Sequence, residues 1–209
     1  KVGKVIAKEC MEQTKKVMLN YSGKNPLIVM DDADIDKAVD VAVKNCYVNA
    51  GQICMATELL LVHEKVYEEF KEKLIEKTLK LKSGDNKNPE TDVGPIPIMK
   101  IVEEVKSQID EAVSMGAKIL CGGKISDYLV ESTIIDNISE EMSLFLYRTS
   151  GPIAPIMKIY SLDEAIMLAN KSKLGFRAGI FTDSHKNINN AVSKMRFAVI
   201  AVNGSPFYM

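Results

Sequence analysis

Tryptophan is missing from this 209-residue chain, aromatic residues make up only 6%, and histidine occurs twice, at His63 and His185. The four cysteines, Cys10, Cys46, Cys54 and Cys121, are scattered, with no Cys-x-x-Cys pair. With so few candidate ligands at those spacings, a zinc site is not expected. The two histidines read as surface or strand-end residues, and the eleven methionines show no metal-binding spacing and read as core filling. No apolar run approaches the roughly 18 residues of a membrane helix, so no membrane partner is expected. Lysine plus arginine number 27 against 28 acids, for a net charge of -1, and the two signs are interleaved. That balance argues against a nucleic-acid partner. No Gly-x-Gly-x-x-Gly follows a strand, and Gly122-Gly123-Lys124 and Ser83-Gly84-Asp85 read as turns, so the chain carries no dinucleotide fingerprint of its own. It opens Lys1-Val2-Gly3 without a methionine or a secretory leader, and is read as a piece of a longer protein. Free thiols without a pairing pattern point to a reducing, cytoplasmic setting.

What is present is ordinary for a globular domain: 46% hydrophobic and 26% charged residues, enough for a core. Apolar runs at Leu27–Met30 and Leu59–Val62 predict buried strands, and Ile153–Tyr160, Arg177–Thr182 and Ala198–Val202 predict further strands. A short strand is also expected over Lys16–Tyr21 and another over Ala117–Cys121, with an extended stretch over Tyr128–Ile135. Helical spacing predicts helices over Lys4–Glu12, Asp34–Val48, Glu64–Leu81, Met99–Met115, Asp163–Asn170 and Lys186–Met195. Asp34 is the expected N-cap of the second. Strands alternate with helices, so the expected fold is α/β, a three-layer domain with a mostly parallel sheet flanked by helices.

Cys54 lies where the second helix gives way to a strand, in Asn49-Ala-Gly-Gln-Ile-Cys-Met-Ala56. Taken alone, such a cysteine is more often a small buried hydrophobe than a nucleophile. The surrounding motif, however, resembles the active-site signature of the aldehyde dehydrogenase superfamily. Ser22-Gly23-Lys24-Asn25-Pro26, Asp31–Val39, Val93-Gly94-Pro95-Ile96, Ser150-Gly151-Pro152, Gly175–Thr182 and Val202-Asn203 resemble further family motifs, in the family's order. The resemblance implies the family's catalytic domain over residues 1–209, with the dinucleotide domain and the oligomer-forming tail elsewhere. It implies NAD or NADP as cofactor, a small-molecule aldehyde as substrate, and a homo-oligomer for the full protein.

The chemistry implied is covalent. Cys54 as thiolate adds to the aldehyde, and oxidation leaves a thioester for hydrolysis or transfer. The Cys54 backbone N–H supplies half of an oxyanion hole. Three positions depart from the family's pattern. Its general-base glutamate falls on Asn20, which cannot take a proton from water. The glutamate that holds the nicotinamide ribose falls on Arg148, and the phenylalanine that contacts the cofactor falls on Ser150. Arginine cannot accept hydroxyl hydrogen bonds. These losses raise the alternative of a catalytically impaired relative. Asn20 and Cys54-Met55-Ala56 also resemble the CoA-acylating semialdehyde dehydrogenases, where a thiol replaces water. Lys24 and Asn203 match further family positions; a solvated turn charge and a strand-end cap are their plain alternatives.

Overall fold

A computed structural model describes residues 2–19, 23–172 and 174–207. Seven strands form one sheet in the order β3-β6-β7-β2-β1-β8-β9. They are β1 (Asn25–Val29), β2 (Thr57–His63), β3 (Lys118–Cys121), β6 (Thr133–Asp136), β7 (Ile153–Ile159), β8 (Arg177–Phe181) and β9 (Val199–Val202). A separate hairpin pairs β4 (Ile125–Ser126) with β5 (Leu129–Val130). All neighbours in the large sheet run parallel except β3, which joins β6 antiparallel at one edge.

The helices are α1 (Val2–Glu12), α2 (Ile35–Tyr47), α3 (Tyr67–Leu79), α4 (Met99–Ser114), α5 (Ser143–Leu146), α6 (Leu162–Asn170) and α7 (His185–Lys194). The connection from β1 through α2 to β2 steps one way across the sheet, and that from β7 through α6 to β8 steps the other. Right-handed crossovers then put α2 and α3 on one face and α6 and α7 on the opposite face. Strands covered on both sides must be apolar throughout, which is why β1, β2 and β8 are buried at every position. The three-layer α/β expectation holds.

Asp34 caps α2, its side chain accepting from the Lys37 N–H at 3.1 Å. Several local expectations are corrected. Residues 16–19 form no strand, and the rest of the expected strand, Asn20 and Tyr21, lies outside the described residues. The third helix begins at Tyr67, after a tight turn at Glu64–Val66, because His63 takes the Lys65 N–H on its ring nitrogen. His63 does end its strand, but it is buried. The stretch expected to be extended over Tyr128–Ile135 is divided between β5 and β6.

Candidate active site

Parallel α/β sheets usually bind ligands at the carboxyl ends of their strands. Here Cys54, Lys24, Arg148 and Ser150, four of the residues singled out for chemistry, gather at the amino ends of β1, β2 and β7. The loop bearing Cys54 leads into β2, Lys24 and Asn25 lead into β1, and residues 148–151 lead into β7.

α2 ends abruptly. Asn49, Ala50 and Gly51 follow one another with φ of 51°, 52° and 70°, a left-handed turn that throws the chain away from the helix axis. The break therefore starts two residues before Gly51. Of the three, Asn49 is a residue type that tolerates this conformation, while Ala50 resists it by about 1–2 kcal/mol. Gly51 is required on two counts. Its φ is left-handed, and a Cβ there would sit 2.1 Å from the Gly151 carbonyl oxygen. The nucleophile loop and the segment before β7 thus touch backbone to backbone.

Asn25, fully buried, fastens the loop from below. Its Nδ2 donates to the Cys54 and Ala56 carbonyls, both at 2.9 Å, while its Oδ1 accepts from the Arg177 N–H at 3.1 Å. The sequence makes room for this. Pro26 has no N–H to give β2, and the β1–β2 register shifts between Asn25 and Pro26. The side chain of Asn25 supplies donors that the backbone lacks.

Glu58, only 3% exposed, meets two cations and a backbone donor from the segments before β1 and β7. Its Oε2 accepts from the Thr149 N–H at 2.9 Å and faces Lys24 Nζ at 3.5 Å; its Oε1 faces Arg148 Nε at 3.5 Å. Lys24 is buried as well, which overturns the solvated-turn reading. Burial lowers the Lys24 pKa, and Glu58 pulls it back up; burial raises the Glu58 pKa, against Lys24. Arg148 also donates from Nη2 to the Ile53 carbonyl at 3.1 Å.

Arg148 and Ser150 border a cleft of about 460 Å³ with Glu104, Gln108 and Glu111 of α4 and Ser143 of α5. Glu111 is committed to Ser143, accepting from its N–H at 2.9 Å and its hydroxyl at 2.7 Å. Asn20 lies outside the described residues. Asn203 is a strand-end cap: its side chain accepts from the Thr182 N–H and donates to the Thr182 carbonyl. It stands at the carboxyl ends of β8 and β9, across the sheet from the Cys54 loop.

Of the four cysteines only Cys46 is buried; Cys10, Cys54 and Cys121 are all of intermediate exposure. Cys46 is buried in α2, its pKa pushed far up by burial, as packing requires; Cys121 is half-buried and also raised by burial. Cys54 is partly exposed at the loop tip. Asn25, Glu58 and Thr149 were missed from sequence, although a single acid inside Thr57-Glu-Leu-Leu-Leu-Val62 is a signal, since buried carboxylates need partners.

Residues 1–208 match the model of the Aldehyde dehydrogenase family. The chain belongs to that family. It is 38% identical over 207 residues to a lactaldehyde dehydrogenase of Methanococcus vannielii, covering 99% of this chain and 44% of the relative. The crystal structure of a salicylaldehyde dehydrogenase from Pseudomonas putida G7, complexed with salicylaldehyde, superposes with a TM-score of 0.95 at 33% identity, over 100% of this chain and 43% of that one. A glyceraldehyde-3-phosphate dehydrogenase from Methanocaldococcus jannaschii, complexed with NADP, gives 0.94 at 31% identity, over 100% and 45%. The chain therefore spans less than half the length of these relatives.

Proposed function

We propose that this chain is the nucleophile-bearing catalytic domain of an aldehyde-oxidising enzyme that uses NAD or NADP, Cys54 being the nucleophile. The observation that carries this is the placing of Cys54. Alone among the four cysteines it follows a left-handed turn, and the carbonyls on either side of it are held by Asn25 and by Arg148, which itself lines a polar cleft.

Cys54 Sγ adds to the aldehyde carbon, forming the C–S bond and pushing charge onto the carbonyl oxygen, which the Cys54 N–H is placed to meet. The bound nicotinamide supplies the hydride acceptor. The thioester left on Cys54 is then displaced by water or by a thiol, returning the sulfur. The cleft beside Arg148 is the place we assign to the sugar part of such a cofactor; Ser150, Gln108 and Glu104, which line it, supply polar groups for its hydroxyls. The larger part of the cofactor site, the second oxyanion donor and the oligomer contacts are assigned to the remainder of the protein.

Rapid mixing of the full-length protein with a short aldehyde and NAD(P)+ tests this. A burst of NAD(P)H near one equivalent per site, lost in Cys54→Ala, is expected. A burst that stalls until CoA is added identifies a thiol acceptor. No burst with any aldehyde, together with Cys54 alkylating no faster than Cys10 or Cys121, overturns the proposal in favour of an inactive relative.

A further inference from the structure

We propose that Arg148 is a positioning residue that aims the Cys54 amide, rather than a contact to the cofactor; this rests on Cys54 being the nucleophile. The Ile53 carbonyl and the Cys54 N–H belong to one peptide unit, planar and trans, since the described residues contain no cis bond. Fixing the oxygen of that unit fixes the direction of its N–H. Arg148 Nη2 does so, donating to Ile53 O at 3.1 Å. The peptide unit on the other side of Cys54 is fixed by Asn25 Nδ2 on Cys54 O at 2.9 Å. Both planes that flank the nucleophile are thus held by side chains from outside the loop.

The guanidinium is itself aimed. Its Nε lies 3.5 Å from Glu58 Oε1, and Glu58 is anchored by the Thr149 N–H and Lys24. One planar fork therefore spans an acceptor five residues before Glu58 and Glu58 itself, bracketing Cys54 in the sequence. A lysine has one nitrogen at the end of a flexible stem and cannot both donate to Ile53 O and hold the ion pair with Glu58 in that geometry. A glutamate, which the resemblance places at this position in other members, has no donor for Ile53 O and would face Glu58 with like charge. Glu58 and Arg148 are thus a matched pair, and changing Arg148 to glutamate disorganises the loop instead of repairing a cofactor contact.

The test uses full-length protein and single-turnover NAD(P)H formation across a range of cofactor concentrations. Arg148→Lys keeps a cation beside Glu58. It is expected to slow hydride transfer at saturating cofactor by about 100-fold, the usual cost of one oxyanion donor, with cofactor KM unchanged. A raised cofactor KM with an unchanged saturated rate would make Arg148 a cofactor contact and overturn the proposal. An unchanged rate and KM overturns it too. Should Arg148→Lys not fold, Arg148→Ala with added ethylguanidinium replaces it: recovery of the rate without change in KM supports the role, and no recovery refutes it. If the wild-type protein gives no Cys54-dependent burst, the nucleophile assignment itself fails, a result separable from both.

Discussion

The two ends of the sheet are built to different rules. At the carboxyl ends, Thr182, Asp32, Asn203, Ser184 and Asn187 close a polar network in which donors and acceptors are matched. The Thr182 hydroxyl donates to Asp32 at 2.7 Å and accepts from the Ser184 N–H, while Asn203 and the Thr182 backbone exchange two bonds. At the amino ends the matching fails. Among the described residues, the buried side-chain polar atoms without a hydrogen-bond partner are on Asn45, Thr57, Glu58, Ser132, Thr149 and Arg177. Thr57, Ser132 and Arg177 stand at the entrances of β2, β6 and β8, and Asn45 lies in the last turns of the helix leading to the Cys54 loop. A buried polar atom left unpaired costs about 1–3 kcal/mol. One end of the sheet spends nothing on such atoms and serves as a turn layer. The other carries several, together with buried charge and left-handed backbone, and it is the end that presents Cys54. Strain and incomplete pairing concentrate where a fold does chemistry.

Substitutions can break that contrast. Gly51→Ala has the largest expected effect, up to about 5 kcal/mol, because it combines a left-handed backbone with a clash against the Gly151 carbonyl. Thermal melting and loss of Cys54 acylation by about 100-fold should accompany each other, since a misplacement near 1 Å costs that much. Full retention of both would show that the loop is not locked by this contact.

Glu58→Gln comes next, at about 3 kcal/mol near neutral pH, because it leaves the buried Lys24 ammonium without its partner. Lys24 has its pKa lowered from 10.5 by burial, so the stability it contributes is present above that value and is lost as pH falls through the folded one. Removing Glu58, which pulls the pKa up, deepens that loss. The penalty of the substitution should therefore shrink as pH rises toward about 10.5, as read from melting temperatures at successive pH values. A penalty that grows with pH would contradict a buried Lys24 charge.

Asn25→Ala removes three hydrogen bonds but leaves room for water, and about 2 kcal/mol is expected, with iodoacetamide labelling of Cys54 altered while Cys10 labelling is not. Asn203→Ala at the opposite end should cost about 1 kcal/mol and leave Cys54 labelling untouched, which makes it the control for distance. The exposed Lys80–Glu76 pair sets the floor: its removal should not move the melting temperature measurably.

The sequence by itself determined the alternation of strands and helices, the buried runs of β1 and β2, the Asp34 cap and the family motif that carries Cys54. Each of these is written locally, in periodicity, in capping chemistry or in a contiguous motif. Only the tertiary structure decided that Lys24 is buried against Glu58, that Asn25 clasps the loop 29 residues away, and that Arg148 holds the Ile53 carbonyl across 95 residues. Asn25 and Arg148 look like turn or surface residues in isolation, and the acid inside the apolar run at Glu58 signals a need for partners without naming them. Their partners meet them only because parallel strands far apart in the chain begin at the same end of one sheet.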